Sequence, residues 1–398
     1  VNLIYVTPFL RVPPDFGLAI RNYHMLDYLT ARHEVMVITY GQDETGATDT
    51  WLAERGARIV RLNYSIAWGT HKGRRSTLQN LFYYPPASFQ RFSASVLHRA
   101  LRDAARKTSK VDAIVFDTAL TGQAVLAGAV PGVPVLVLPD IYQTLLWREF
   151  RTIGWRPFKL VALMNWFKTR QYENRVLRHH ANLIAVSSAD FDFLKKHYPR
   201  AQVTLISNGV DTRRFTPDNS VSANDTLLFV GGFEYAPNVD AFFYFCREIL
   251  PRVRAQRPTV EFMVVGRNPT QAMYEYASAH PEIRLIGTVS DTRPYYQRAA
   301  LVVIPLRLGG GVKLKTLEAF AMGVPVVSTS VGAEGISARA EEHLKIADAP
   351  DEFANQILDA LQNRATANEM AHRARKLVAE KYDWQMLAQQ MDAFLVNL

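Results

Sequence analysis

Short apolar runs rich in β-branched residues alternate along the chain with longer stretches whose apolar positions recur at helical spacing. The first run, VNLIYVT, leads through the loop PFLRVPPDFG into the helical pattern LAIRNYHMLDYLTAR. EVMVITY, DAIVFD, PVLVLPD and NLIAVSS follow, each apolar at nearly every position. A strand covered on both faces has this pattern, whereas a half-solvated strand alternates. Buried strands interleaved with helices predict parallel β-α-β units. The polar stretch Ser207 to Asp225 then reads as a linker, after which the pattern restarts with TLLFVGG, EFMVVGR, IRLIGTV, LVVIPL and PVVSTS. WQMLAQQMDAFLVNL closes the chain as an amphipathic helix. The expectation is an α/β protein of two doubly wound, Rossmann-like domains, residues 1–206 and 226–380, with a hinge at 207–225 and a terminal helix at 381–398. Ligands of such sheets sit beyond the carboxyl ends of the strands.

Composition adds limits. A chain of 398 residues exceeds one ordinary core, which agrees with two domains. The lone cysteine, Cys246, excludes an internal disulfide and a cysteine-based metal cluster, and suits a reducing compartment. The opening run is read as a strand rather than a signal peptide, because it lacks a basic start and a cleavage site. No run of about eighteen apolar residues escapes interruption by Gly, Pro or charge, so no spanning helix is expected. The net charge of +9 points to an anionic partner: nucleic acid, an anionic membrane or a phosphorylated substrate. Zinc-finger spacing, a basic zipper and RNP-like aromatics are all lacking, which sets nucleic acid aside. Basic and aromatic residues mix in two segments, His71 to Phe92 and Arg148 to His180, the second holding Trp155 and Trp166. In the latter, Leu160, Leu163, Met164 and Phe167 recur at helical spacing beside Lys159, Lys168 and Arg170. That pattern fits either an interfacial face or a core-facing helix with a solvated basic back.

The most informative stretch is PLRLGGGVKLKTLEAFAMGVPVV, Pro305 to Val327. Three glycines in succession cost conformational entropy and need a reason. A P-loop requires glycine immediately before Lys-Ser/Thr, and Leu314 stands there; a dinucleotide fingerprint is missing after the first strand. What remains is a turn that follows a strand and opens a helix whose first N–H groups are unpaired, a site for an anion. Lys315 and Glu318 lie three residues apart on one side of that helix, at the edge of its packed stripe, while Lys313 points towards the loop. A phosphate at the amides and a ribose at Glu318 together describe a nucleotide sugar.

This stretch resembles the donor-binding segment of family-4 glycosyltransferases of the GT-B fold. The resemblance extends over most of the chain: PPDFGLAIRNYHMLDYLTARHEVMVIT is similar to their first glycine loop, helix and second strand. LIAVSSADFDFL, LISNGVDTRRF and LLFVGGFEYAPNVDA follow in the family's order, with Asn208-Gly-Val-Asp211 at the hinge. The resemblance implies two domains facing a cleft, with the terminal helix packing back towards the first. It also implies retention at the anomeric carbon and no cofactor or essential metal. Glu318 fits the second position of the family's Glu-x7-Glu pair and would hold the ribose. Gly310 stands where the first Glu, which touches the sugar, is usual. The Arg and Lys that commonly grip the diphosphate fall near Gly232 and Pro237 and are missing. The chain instead resembles a subgroup with PN-x-D and GGG-x-K-x-K-x-LEA elements.

From this, the amides of Gly309, Gly310, Gly311, Val312 and Leu314, with Lys313 and Arg307, are expected to stabilise the leaving diphosphate. Gly17, Gly232 and Phe233 would line the donor, and Val289 and Arg267 would flank the base. Asp117, at the strand end where many members carry a His, is a candidate for the transferred sugar, with a capping or turn role as its alternative; Asp140 ends the next strand and is read as a turn. The function expected is transfer of a hexose from a nucleotide-diphosphate sugar, UDP-glucose first and GDP-mannose next. The acceptor would be a glycan or a polyprenyl-diphosphate-linked saccharide in polysaccharide or lipopolysaccharide assembly, held mainly by the first domain. The setting expected is cytoplasmic, with peripheral contact to an anionic inner membrane face. A sugar-nucleotide epimerase and a non-catalytic sugar-nucleotide-binding subunit are the alternatives.

Overall fold

The apolar runs become strands covered on both faces. In the first series, β1 (Asn2–Val6), β2 (Glu34–Tyr40), β3 (Arg58–Leu62), β4 (Ala113–Asp117), β5 (Val133–Leu138), β6 (Asn182–Ala185) and β7 (Gln202–Leu205) form one sheet in the order β3-β2-β1-β4-β5-β6-β7. Its pairings are parallel, for example Tyr5 opposite Val37 and Val115. The outer strands β3 and β7 are the polar ones, with half-exposed positions, as edges require. The computed structural model describes residues 1–63, 86–108, 110–152, 158–217 and 224–398.

The second series gives β8 (Thr226–Val230), β9 (Glu261–Val265), β10 (Ile283–Gly287), β11 (Leu301–Ile304), β12 (Val326–Ser328) and β13 (Lys345–Ile346), ordered β10-β9-β8-β11-β12-β13 and again parallel. Each sheet has its own core. Ile4, Ile38, Phe116 and Leu136 anchor the first; Phe229, Phe242, Phe262 and Phe320 anchor the second.

The chain divides between Ser207 and Asn208. Val1–Ser207 with Leu387–Leu398 form one unit and Asn208–Met386 the other. The final helix, Trp384–Val396, thus contributes most of its length to the first unit, where Asp392 meets the His33 ring at 2.6 Å. The stretch read as a linker is built at its start. Asp211 accepts from the amides of Arg213 and Arg214, and Thr212 donates to Asp383 at 2.5 Å. Residues 218–223 lie outside the described residues.

Order reversal marks where ligands bind. In the first sheet the chain reverses between β1 and β4, and in the second between β8 and β11. A crevice opens at the carboxyl ends of such a pair because their connections leave in opposite directions. One close approach packs the end of β9 against the turn after β8: a Cβ built on Gly266 would stand 1.6 Å from the Gly231 carbonyl oxygen, so residue 266 must be glycine.

Candidate active site

At the second reversal, β8 runs into Gly231 and Gly232 ahead of the helix Ala236–Tyr244, and β11 runs into the glycine loop ahead of the helix Leu314–Ala321. Two of the three loop glycines have a conformational cause: Gly309 takes φ +124° and Gly311 φ +66°, where an L side chain is strained. Gly310 has no positive φ, so the absence of the usual Glu there is not forced by the backbone. Val312 is buried in the core and Leu314 packs against it. Lys313 precedes the helix with extended backbone and is largely buried. Its ammonium donates to the carbonyls of Gly310 (2.8 Å) and Gly311 (2.9 Å), fastening the loop to the helix start.

Arg307 has a carboxylate partner. It forks onto Asp240 through Nε (3.0 Å) and Nη2 (2.5 Å), and its guanidinium stacks 4.4 Å from the Tyr244 ring. Glu318 sits at the edge of its helix, half-buried, and accepts from the Tyr296 hydroxyl at 2.9 Å. Burial raises its pKa, against the Tyr296 hydrogen bond and the Lys315 charge. The Phe233 ring is buried against Phe229, and its amide donates to the Arg267 carbonyl. Arg267 pairs with Glu234 at 2.8 Å, and Val289 is half-buried against the core.

The first reversal gathers a different set. Asp117, at the end of β4, is fully buried and accepts from Asn22 Nδ2 (2.8 Å) and Thr7 Oγ1 (3.2 Å). Burial pushes its pKa up to about 6, against the hydrogen bond from Asn22 and the charge of Arg21. Asp117 thus offers no exposed surface in this structure and ties β4 to Asn22 and Thr7. The adjacent Thr118 holds φ +93° and ψ 151°, a region that side-chain-bearing residues avoid. Gly17 begins the helix Gly17–Thr30 without positive φ, its N–H among the first-turn donors that lack intrahelical partners.

The basic-aromatic segment 148–180 builds the helices Tyr142–Thr152 and Phe158–Arg178. The buried Glu173 carboxylate fixes the first to the second by accepting from the Tyr142 (2.8 Å) and Gln143 (2.9 Å) amides. The core-facing alternative holds only for the later turns, where Tyr172, Val176 and Leu177 are buried. Leu160 and Phe167 are 66% and 51% exposed, with Leu163 and Met164 beside them and Trp147 stacked on Phe150 nearby. Residues 71–85 of the other segment, and Trp155, lie outside the described residues.

The sequence reading did not assign Asn238, Tyr296 or Lys315 to the site. The signals were present: Asn238 is the asparagine of the PN-x-D string and Lys315 is the second lysine of K-x-K. Tyr296 carried no local signal, since only the fold brings it to Glu318.

Two family models match this chain. Glycosyltransferase Family 4 matches residues 17–214, and Glycosyl transferases group 1 matches residues 224–363. The chain is built from glycosyltransferase domains of the family-4 type. Its two parallel α/β units are the GT-B architecture. Among relatives, the chain is 22% identical over 252 residues to the lipopolysaccharide 1,2-N-acetylglucosaminetransferase of Salmonella typhimurium, covering 57% of this chain and 65% of that one. It is 28% identical over 201 residues to the phosphatidyl-myo-inositol mannosyltransferase of Mycolicibacterium smegmatis, covering 47% and 50%. A Klebsiella pneumoniae protein from a cps region is 29% identical over 167 residues, covering 40% and 43%. The matches thus span roughly half the length of these curated relatives. Among solved structures, the fold matches sucrose-phosphate synthase from Thermosynechococcus elongatus with a TM-score of 0.73 and 17% identity, over 100% of this chain and 99% of that one. It matches Anabaena HepE in complex with UDP-glucose with a TM-score of 0.68 and 16% identity over all of both chains.

Proposed function

We propose that this chain transfers a hexose from a nucleotide-diphosphate sugar to a glycan or lipid-linked saccharide, with retention at the anomeric carbon. The observation that carries the reading is the second reversal point, where a glycine loop, two lysines and the Glu318–Tyr296 pair converge on one crevice. UDP-glucose is the first donor to test, since the HepE structure of the same fold is a UDP-glucose complex; GDP-mannose is next.

Breaking the bond between the anomeric carbon and the diphosphate oxygen leaves positive charge on the sugar and negative charge on the diphosphate. Fixed donors aimed at the leaving group lower that barrier because they need no reorganisation. In this reading the loop amides and the start of the helix Leu314–Ala321 receive the diphosphate, and Lys313 holds the loop in shape. Glu318, oriented by Tyr296, takes the ribose hydroxyls. No metal is invoked. Arg307 keeps Asp240 as its partner and shapes the crevice wall.

The acceptor is assigned to the first unit, where Thr118 stores backbone strain at the reversal point. The exposed Leu160, Leu163, Met164 and Phe167, with Lys159 stacked on Phe150 and Arg170 on Trp166, suit contact with an anionic membrane that presents a lipid-linked acceptor. No helix among the described residues is long and apolar enough to cross a membrane.

The test is to incubate the chain with UDP-glucose, GDP-mannose and UDP-GlcNAc and follow free nucleoside diphosphate. Release from one of them supports the reading. Tight binding without release, with any acceptor, favours a non-catalytic binding subunit. Epimerised sugar nucleotide favours an epimerase.

A further inference from the structure

The Arg and Lys that the family resemblance leads one to expect after the first strand of the second domain are absent, their places falling near Gly232 and Pro237. The space is nevertheless filled. A Cβ built on Gly231 would meet Lys315 Nζ at 2.9 Å and Asn238 Nδ2 at 2.9 Å. An ammonium from the neighbouring helix therefore occupies the place where a residue-231 side chain would begin.

Asn238 holds it there. Its Oδ1 accepts from Lys315 Nζ at 2.7 Å while its Nδ2 donates to the Gly232 carbonyl at 2.7 Å. An ammonium only donates and a carbonyl only accepts, so both ends of the amide are fixed. The ammonium also lies 4.4 Å from the Phe229 ring centroid. Of its three donors, Asn238 is the one hydrogen-bond acceptor among the described residues, so two remain for a ligand. Lys313, by contrast, already spans two carbonyls.

We propose that Lys315, oriented by Asn238, is the cation that binds the donor's diphosphate in this chain, in place of the missing side chains of the β8 turn. The assignment rests on the nucleotide-sugar reading of the site. The groups facing Lys315 are Lys313 and Glu318 on its own segment, Asn238 and Phe229 on the β8 side, and Tyr296, whose hydroxyl approaches the Lys315 carbonyl at 3.4 Å. Burial, then the Lys313 charge, pulls the Lys315 pKa down to about 7, against the pull of Glu318. Near neutral pH the empty site thus carries a partly uncharged lysine, and an incoming diphosphate draws a proton onto it. The proton comes from buffer, and no covalent bond changes.

The experiment is isothermal titration of the full chain with the sugar nucleotide that binds, taken from UDP-glucose, GDP-mannose and UDP-GlcNAc, in buffers of differing ionisation enthalpy. The diphosphate diester of these donors exchanges no proton between about pH 6 and pH 8, so uptake reports the protein. A lysine of pKa about 7 is about one-tenth charged at pH 8 and about nine-tenths charged at pH 6. Lys315 should therefore take up about 0.9 proton at pH 8 and about 0.1 at pH 6. Lys315→Met should weaken binding at least about tenfold and abolish the difference in uptake, and Lys315→Arg should restore most of the affinity. Equal affinity in Lys315→Met overturns the assignment and leaves the nucleotide-sugar reading standing. Should Lys315→Met fail to fold, Lys315→Gln takes its place in the same affinity comparison. Failure of all three donors to bind the wild type overturns both.

Discussion

Replacing Asp117 by Asn should flatten the pH dependence of stability in the first unit. The Asp117 carboxyl is fully buried beneath Asn22 and Thr7, and its Oδ1 has no hydrogen-bond partner among the described residues. Burial raises its pKa from an ordinary 3.8 to about 6. The native state thus holds this proton across a window in which the unfolded chain has released it. Stability falls as pH rises through that window, and its contribution is complete only below about pH 4. A shift of about 2 units corresponds to about 3 kcal/mol in full, of which about 2.5 kcal/mol is lost between pH 4 and pH 7.5. Two other buried groups share the unit. Glu173, raised to about 7 by burial, acts in the same direction, while His180, lowered to about 4 by burial, gains stability as pH rises from about 4 to 6.5. The wild-type profile is therefore compressed, and the comparison of variant with wild type isolates Asp117. Denaturant unfolding followed by tryptophan fluorescence suits the purpose, because every tryptophan except Trp384 lies in the first unit. The stability difference between Asp117→Asn and wild type should move by about 2.5 kcal/mol in favour of the variant from pH 4 to pH 7.5. A difference that stays constant across that range would refute the assignment of a raised pKa to Asp117.

Gly266→Ala places a Cβ 1.6 Å from the Gly231 oxygen and must push apart the ends of β8 and β9, so a loss of about 4 kcal/mol or more is expected by thermal unfolding; an unchanged Tm contradicts the close approach. Thr118→Gly relieves a backbone conformation suited only to glycine and should stabilise the first unit by about 1 kcal/mol, whereas clear destabilisation shows that the strain is absent. Tyr296→Phe removes the hydroxyl that orients Glu318 and should raise the donor KM about tenfold with a smaller change in kcat; an unaltered KM removes Glu318 from ribose binding. Lys313→Ala cuts two bonds to the glycine loop and should lower turnover at least about tenfold without unfolding the chain, and wild-type turnover would discard its role.

The architecture was legible because doubly buried strands announce themselves. PVLVLPD and LVVIPL have no solvent face, and the breaks between them carry the turns. The glycine loop was legible because its composition demands a local explanation, and Gly309 and Gly311 supply it through their dihedrals. What the sequence hid was partnership across the fold. Arg307 and Lys313 look equally available in a string, but one faces Asp240 from 67 positions away and the other closes on its own loop. Phe233 follows two glycines and resembles a loop residue, yet its ring completes the core under β8. Asp117 ends a strand, where solvent access is usual, but Asn22 and Thr7 from the β1 side close over it. Lys315 is the reverse case: a lysine read only as standing with Glu318 on one side of the helix has its Nζ 2.9 Å from where a Cβ on Gly231 would be.

The central claim is that the β8–β11 reversal binds the nucleotide-diphosphate sugar. Hydrogen exchange measured by mass spectrometry, with and without a saturating donor from the panel, tests it segment by segment. Slowed exchange at the amides of residues 231–235 and 307–315 is the result the account predicts. Unchanged exchange in both segments while the donor is bound would contradict it.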